Sequence, residues 1–128
     1  MFRILVVDDQ PDVRAMIAMV LRVHHFEIVE AATGAEGVKA FEESSFDLVI
    51  VDIFLEETNG FDIIRTMRER VPTLPVVAIS GVTALDFVSA SPEFADVICL
   101  SKPFRPNQLV SAIESANRSV RKSLAARL

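Results

Sequence analysis

The sequence predicts an α/β domain with a parallel sheet, and three observations support this. Apolar runs too short for helices alternate with longer segments of helical periodicity, which is the pattern typical of βαβ units. One run, Leu48–Val51, is apolar at every position, as expected for a central strand buried on both faces. Polar residues stand at the ends of four of the runs. We therefore expect five strands, each followed by a helix.

The first two repeats have recognisable helix starts. Arg3–Val7 is the first predicted strand, and Pro11, a residue favoured in the first turn, begins the helix after it. The second strand is Glu27–Ala31, and Thr33 and Glu36 then form the Thr-x-x-Glu pattern of a capping box. The apolar residues that we expect on the inner faces of these helices are Val13, Ile17, Val20, Leu21, Val38 and Phe41.

The last three repeats follow the same pattern. Their predicted strands are Leu48–Val51, Val76–Ile79 and Val97–Leu100. A polar loop, Glu56–Asn59, leads to the third helix, a short fourth helix covers Ala84–Ala90, and Pro106 begins the last helix. The inner faces of the third and last helices are expected to carry Phe61, Ile64, Met67, Leu109, Ala112, Ile113, Ala116 and Val120.

Composition limits the class of protein. The 128 residues, 51% hydrophobic and 24% charged, suit one globular domain, and the net charge of −5 argues against a nucleic-acid-binding surface. A single cysteine, Cys99, excludes an internal disulfide and fits a reducing compartment. We find no signal peptide and no apolar run near the roughly 20 residues that span a bilayer, so we expect a soluble, cytoplasmic protein without a membrane partner. Residues 118–128 are basic, as in a solvated helix end or a docking tail.

The polar residues at the strand ends predict a site for a metal ion and a phosphoryl group. The carboxyl ends of parallel strands share one edge of a sheet, so side chains distant in sequence can meet there. Crowded carboxylates need a compensating cation, and Mg²⁺ prefers such oxygen ligands. A carboxylate can also attack phosphorus, with an ammonium and a hydroxyl stabilising the phosphoryl oxygens. The candidates are Asp8 and Asp9 for the metal, Asp52 as nucleophile, and Ser80 and Lys102 for the oxygens.

Taken together, these motifs resemble the receiver domain of two-component response regulators, as in the chemotaxis response regulator. The resemblance covers essentially the whole chain. The segments that carry it are Ile4–Asp9, Asp47–Asp52, Asn59-Gly60, Ser80-Gly81 and Lys102-Pro103-Phe104. It implies one receiver domain over residues 1–128 with a doubly wound, flavodoxin-like sheet of strand order 2-1-3-4-5 and helices on both faces.

The resemblance also implies a function. Asp52 accepts a phosphoryl group from a histidine kinase or a histidine phosphotransfer protein. Asp9 and Asp52 bind Mg²⁺ directly, Asp8 binds it mainly through water, and Phe54 contributes its main-chain carbonyl. Ser80 and Lys102 contact the phosphoryl oxygens, and a shift of Ser80 toward them drives the switch.

The expected output of this switch is a protein contact. No output module lies within these 128 residues, so output must come through a partner protein or through a part of the chain not included here. We expect a downstream protein target, no direct nucleic-acid contact, and no enzymatic activity beyond self-catalysed phosphorylation and dephosphorylation. A phosphorylation-dependent dimer through the face of the fourth helix, fifth strand and last helix is also expected.

Two positions depart from the family pattern. Cys99 stands where the family usually has Tyr or Phe, so we expect activation to reshape the neighbouring face without rotation of an aromatic ring. Phe54 and Val82 would place apolar bulk where the hydrolytic water enters, which predicts a long-lived phosphorylated form provided that Glu56 does not orient water itself. Packing on the surface or contact with a partner is the alternative role of Phe54.

Two other functions are compatible with an α/β scaffold of this kind. A haloacid-dehalogenase-like phosphohydrolase would carry a second acid two residues after its nucleophile, where this chain has Phe54. A flavin-binding flavodoxin-like protein would need aromatic residues to stack on the flavin, and the chain has no Trp or Tyr. His24 and His25 are interpreted as ordinary residues at a helix end.

Overall fold

The structure is a computed structural model that describes residues 2–81 and 92–127, with the side chains of the last helix described through Ser119. The strands are β1 (Arg3–Val7), β2 (Glu27–Ala31), β3 (Leu48–Asp52), β4 (Val76–Ser80) and β5 (Ile98–Ser101). The α-helices are α1 (Pro11–Val23), α2 (Gly34–Glu43), α3 (Gly60–Arg70) and α4 (Pro106–Arg127), and a 3-10 turn covers Pro92–Phe94.

All four strand pairings are parallel, and the order across the sheet is β2-β1-β3-β4-β5. This confirms the doubly wound α/β fold. The register aligns Val7 with Val51, and Ser80 with Ser101, so the carboxyl ends of β1, β3, β4 and β5 finish along one edge. The polar residues at those ends therefore lie next to one another.

Two apolar layers cover the sheet, one on each face. Alternate strand residues point to opposite faces, so Leu5 and Ile4, neighbours on β1, belong to different layers. Phe41 of α2 and Ile64 of α3 fill the first layer, and Ile17 of α1 and residues of α4 fill the second. The helices therefore lie on both faces, as expected.

The helix ends follow local chemistry. The Thr33 hydroxyl accepts a hydrogen bond from the Glu36 N–H (3.1 Å), and the Glu36 carboxylate accepts one from the Ala32 N–H (2.9 Å), one residue earlier than in an ideal capping box. At the end of α1, His25 adopts a left-handed φ of 64°, and the Phe26 N–H returns to the Leu21 carbonyl (3.0 Å). This is a Schellman-type end with His25 in the place usually taken by glycine.

The third, fourth and fifth strands each end one residue later than the sequence predicts, at Asp52, Ser80 and Ser101. The fifth strand is Ile98–Ser101 instead of Val97–Leu100, because the Val97 N–H bonds to the Phe94 carbonyl of the preceding turn and not to β4. The predicted helix Ala84–Ala90 and the side chain of Val120 lie outside the described residues. In the described ranges, no helix has the length and apolar character needed to cross a bilayer.

Candidate functional site

Asp8 directly follows β1, at the carboxyl edge of the sheet. Asp8 is fully buried, and its Oδ1 accepts a hydrogen bond from the Gln10 N–H at 2.8 Å. The backbone around it is held from two sides, by the Asp8 N–H to the Ala31 carbonyl (3.1 Å) and by Arg14 Nη1 to the Asp8 carbonyl (2.8 Å). The Asp8 carboxylate is therefore fixed in position by the loop that joins β1 to α1.

Asp52 occupies the last position of the central strand β3 and is 3% exposed. Its Oδ1 accepts a hydrogen bond from the Phe54 N–H at 3.0 Å, which orients the carboxylate. Its Oδ2 accepts a hydrogen bond from Lys102 Nζ at 3.0 Å. One oxygen of Asp52 is thus held by the loop after β3 and the other by a cation from the loop after β5.

Lys102 reaches this cleft from the loop after β5. Its main-chain N–H donates to the Ser80 carbonyl at 2.8 Å, which continues the β4–β5 pairing by one residue beyond the strands. Its ammonium lies 3.0 Å from Asp52 Oδ2, 3.4 Å from Asp8 Oδ2 and 2.8 Å from Gln10 Oε1. The ammonium therefore meets two carboxylates and one neutral side-chain oxygen.

Carboxylate oxygens of Asp8, Asp9 and Asp52 lie within 4.8 Å of one another. Asp9 is partly exposed, and its Oδ2 accepts a hydrogen bond from the Glu56 N–H at 3.1 Å. Asp8 Oδ2 is buried, and in the described part of the chain no group donates a hydrogen bond to it, although Lys102 lies at ion-pair distance. An unsatisfied buried carboxylate oxygen in a cluster of three acids fits a hard divalent cation.

The electrostatics of the cluster are visible at Asp8. Burial raises the pKa of the Asp8 carboxyl above its ordinary value of 3.8, and the nearby Asp52 charge acts in the same direction. The Gln10 N–H and the Lys102 ammonium oppose this rise in pKa only in part. The neighbouring N–H and ammonium groups therefore do not fully stabilise the ionised form of Asp8, and additional positive charge in the cluster would stabilise it further.

The cleft opens to solvent between α1 and the loop after β3, with a volume of about 730 Å³. Asp9, Asp52, Lys102 and Phe54 are among the residues that line it. Phe54 is 49% exposed, so a large apolar ring stands at its wall. Val82, the second apolar residue expected near the entry, lies outside the described residues.

Ser80 is the last residue of β4 and is fully buried beside this edge. The Ser80 carbonyl accepts a hydrogen bond from the Lys102 main-chain N–H, which joins the ends of β4 and β5. The structure therefore brings all five strand-end candidates to one edge of the sheet. Their roles toward a phosphoryl group, and that of the Phe54 carbonyl toward a metal, stay predictions.

Three other sequence features lie away from the metal cluster. Cys99 is half-buried and packs against the apolar layer that contains α3, and this burial raises the pKa of its thiol. His24 and His25 are exposed at the far end of α1, about 20 Å along the helix axis from its start. Both histidines are therefore remote from Asp8.

The sequence alone does not indicate that Gln10 belongs to the site. It precedes Pro11 at the start of α1, where a glutamine carries no recognised signal for a site or a helix cap. Its contact with Lys102 joins residues 92 positions apart and follows only from the tertiary structure.

Comparison with known proteins gives a consistent result. The family model named "Response regulator receiver domain" matches residues 4–114 of the sequence. The DNA-binding response regulator MtrA of Mycolicibacterium smegmatis is 34% identical over 117 residues, which make up 91% of this chain and 50% of MtrA. The chain thus spans about half the length of this curated relative. Because MtrA binds DNA, the expectation that no nucleic acid is involved gains no support from it.

Solved structures agree with this match. A response regulator receiver domain protein from Clostridium thermocellum superposes with a TM-score of 0.82 at 29% identity, covering 98% of this chain and 99% of the other. The response regulator TrrA from Thermotoga maritima, in complex with Mg²⁺-BeF, superposes with a TM-score of 0.79 at 25% identity, covering 91% and 99%.

Proposed function

Since the chain belongs to the response regulator receiver domain family, we propose that it is a phosphorylation-controlled switch whose phosphoacceptor is Asp52. The observation that carries this proposal is the setting of the Asp52 carboxylate at the end of the central strand. One of its oxygens is held by the Phe54 N–H and the other faces the Lys102 ammonium. The phosphoryl donor is a histidine kinase or a histidine phosphotransfer protein.

In the proposed step, an oxygen of Asp52 attacks the phosphorus of a phosphohistidine. A phosphorus–oxygen bond forms, the phosphorus–nitrogen bond breaks, and its electron pair returns to the imidazole nitrogen. Lys102 donates to a phosphoryl oxygen and so stabilises the charge that the transfer brings into the cleft. Hydrolysis later returns the carboxylate and releases inorganic phosphate.

The proposed metal ligands are Asp8, Asp9, Asp52 and the main-chain carbonyl of Phe54. Bound Mg²⁺ supplies positive charge that neutralises phosphoryl oxygens. Two observations support this assignment: the unsatisfied Asp8 Oδ2 in a cluster of three acids, and the complex of the related TrrA with Mg²⁺-BeF. Asp8, the most buried of the three, is held by the Gln10 N–H at its carboxylate and by Arg14 at its main-chain carbonyl.

Ser80 is proposed to carry the signal out of the cleft. Its hydroxyl moves toward a phosphoryl oxygen on Asp52, and its backbone is bonded to Lys102 at the start of the loop after β5. Because Cys99 replaces the usual aromatic residue on β5, the response of the neighbouring face proceeds without ring rotation. The output is a contact with a downstream protein or with a second copy of the chain, in the cytoplasm.

The two alternative functions are less well supported. Position 54, where a dehalogenase-like phosphohydrolase would need its second acid, holds a half-exposed Phe. The loop after β1 offers Asp8 and Asp9, which would repel a flavin phosphate. Family membership also favours the receiver over both alternatives.

The test is a phosphotransfer screen against purified, radiolabelled histidine kinases, with Mg²⁺ present or withheld. We expect Mg²⁺-dependent labelling of the wild type and none of Asp52→Asn, which keeps the shape of the side chain and removes its nucleophilic charge. Circular dichroism of both proteins controls for folding. Retained labelling of Asp52→Asn would overturn the assignment of Asp52.

A further inference from the structure

Gln10 makes a contact that the roles described above leave unexplained. Its side-chain Oε1 accepts a hydrogen bond from Lys102 Nζ at 2.8 Å, which is shorter than the 3.0 Å from that ammonium to Asp52. The partners lie 92 positions apart, on the loop after β1 and the loop after β5. The contact therefore bridges the cleft from one wall to the other.

The side chain of Gln10 does not serve the helix that it precedes. Gln10 is the N-cap residue of α1, with extended backbone angles, but within the described residues its side chain makes no capping hydrogen bond. Serine, threonine, aspartate and asparagine are preferred at such a position because their short side chains reach the free N–H groups of the first turn. Gln10 instead lines the cleft and directs its amide oxygen to Lys102.

The chemistry of Gln10 differs from that of the other two partners of Lys102. Asp8 and Asp52 are negatively charged, and both are assigned to the metal or to the phosphoryl group under the proposed function. Once those groups occupy the cleft, the two carboxylates hold the ammonium less strongly. The amide oxygen of Gln10 is neutral and takes no part in either role. The metal ion and the phosphoryl group of the proposed function therefore make no claim on the atom that accepts the Lys102 hydrogen bond.

We propose that Gln10 is a positioning residue for Lys102, whose amide oxygen keeps the ammonium directed at Asp52 when the acidic cluster carries its metal ion and phosphoryl group. This inference rests on the proposed function. A lysine side chain has a flexible four-carbon stem and a large rotamer entropy. An anchor that lowers this freedom before reaction gives a preorganised donor for the phosphoryl oxygens.

The first test observes Lys102 directly and needs no phosphorylation. The order of the Lys102 ammonium is measured by ¹⁵N relaxation on the full chain, with and without Mg²⁺, in the wild type, Gln10→Ser and Gln10→Glu. We expect Gln10→Ser to raise the mobility of Lys102 Nζ, most clearly with Mg²⁺ bound. In Gln10→Glu we expect Lys102 Nζ to stay as ordered as in the wild type, because glutamate keeps an acceptor oxygen at the same distance from the backbone. Unchanged mobility in Gln10→Ser overturns the inference.

The second test separates positioning from a structural role. Serine is a better N-cap than glutamine, so Gln10→Ser is expected to keep or raise the stability of the fold. Its phosphorylation by acetyl phosphate with Mg²⁺ is expected to slow by about fivefold, the scale of one net hydrogen bond. Slower phosphorylation together with lower stability would indicate a structural role and contradict the proposal.

A double-mutant comparison completes the design. In a Lys102→Met background, Gln10→Ser should cause no further loss of rate, because its only expected route to the reaction is through the lysine. An equal fold-loss in both backgrounds overturns the inference. A wild type that takes no phosphoryl group would refute the proposed function, and the relaxation measurement would still decide whether Gln10 positions Lys102.

Discussion

Lys102 donates a hydrogen bond from Nζ to Asp52 Oδ2 at 3.0 Å, across the end of the strand that lies between them. That strand is β4, and its last residue, Ser80, accepts the Lys102 main-chain N–H. The lysine is thus connected to both neighbouring strand ends, by its side chain to one and by its backbone to the other. Asp52 and Ser80 are therefore linked through a single residue.

Asp8→Asn should stabilise the metal-free protein at neutral pH. The pKa of Asp8 is raised in the folded state, first of all by burial, so folding favours the protonated form. The stability linked to this proton is complete below the ordinary value of 3.8 and is lost as the pH rises through the raised pKa. We expect a gain of about 1 kcal/mol near pH 7, the scale of one unsatisfied buried acceptor.

The measurement is urea denaturation in EDTA across this pH range. The two proteins should converge in stability at the acid end, where Asp8 is protonated in both. A gain for Asp8→Asn that is the same at every pH would show that the effect comes from packing and not from the charge of Asp8.

Gly60→Ala should destabilise the fold and disturb Asp52. A Cβ on Gly60 would collide with the Asp52 carbonyl oxygen and would lie 2.7 Å from the Ile53 Cα, both of them backbone atoms. Overpacking of this kind costs about 1–3 kcal/mol. Gly81→Ala is the matched control, because a Cβ there meets no described atom within 4 Å. Equal stability of the two variants in thermal unfolding would refute this account of Gly60.

His25→Gly should stabilise the protein by about 0.5–1 kcal/mol, since a left-handed conformation is costly for a residue with a Cβ and costs glycine little. His25 has a φ of 64°, whereas its neighbour His24 has a φ of −89°. His24→Gly, measured in the same denaturant titration, should bring no gain. If His25→Gly is no more stable than the wild type, the left-handed end of α1 carries no strain that glycine relieves.

Phe54→Asn should speed the loss of phosphate from Asp52 severalfold. The ring lines the wall of the cleft while it stays half-exposed, and asparagine would offer polar groups to an entering water. The rate is followed by decay of the labelled protein after removal of the donor. Phe54→Leu, which keeps apolar bulk, should decay as slowly as the wild type. An unchanged rate in Phe54→Asn would leave the ring with a packing or partner-binding role.

The sequence allowed most of the fold and the strand-end residues to be predicted for a physical reason. In a parallel sheet, each apolar run ends at the same edge, so Asp8, Asp52, Ser80 and Lys102 could be placed together without knowing the path of any side chain. The sequence predicts that β5 starts at Val97, one residue too early. Val97 is apolar because it is buried, but its N–H bonds to the preceding turn and not to β4.

Other features could not be predicted because they depend on distances between elements. Gln10 has no pattern in its neighbourhood that indicates Lys102 as a partner. The need for glycine at position 60 arises only where α3 begins directly against the backbone of Asp52. The first feature depends on how the loops after β1 and β5 meet, and the second on how α3 packs against the end of β3. Hydrophobic periodicity describes neither.

The most direct test of the central claim is to locate the phosphoryl group on the wild-type chain. The protein is incubated with acetyl phosphate and Mg²⁺, digested, and its modified carboxylate identified by mass spectrometry, with a sample lacking Mg²⁺ as control. We predict that the phosphoryl group is found on Asp52 and that its yield falls when Mg²⁺ is withheld. A phosphoryl group on Asp8 or Asp9, with Asp52 unmodified, would contradict the account.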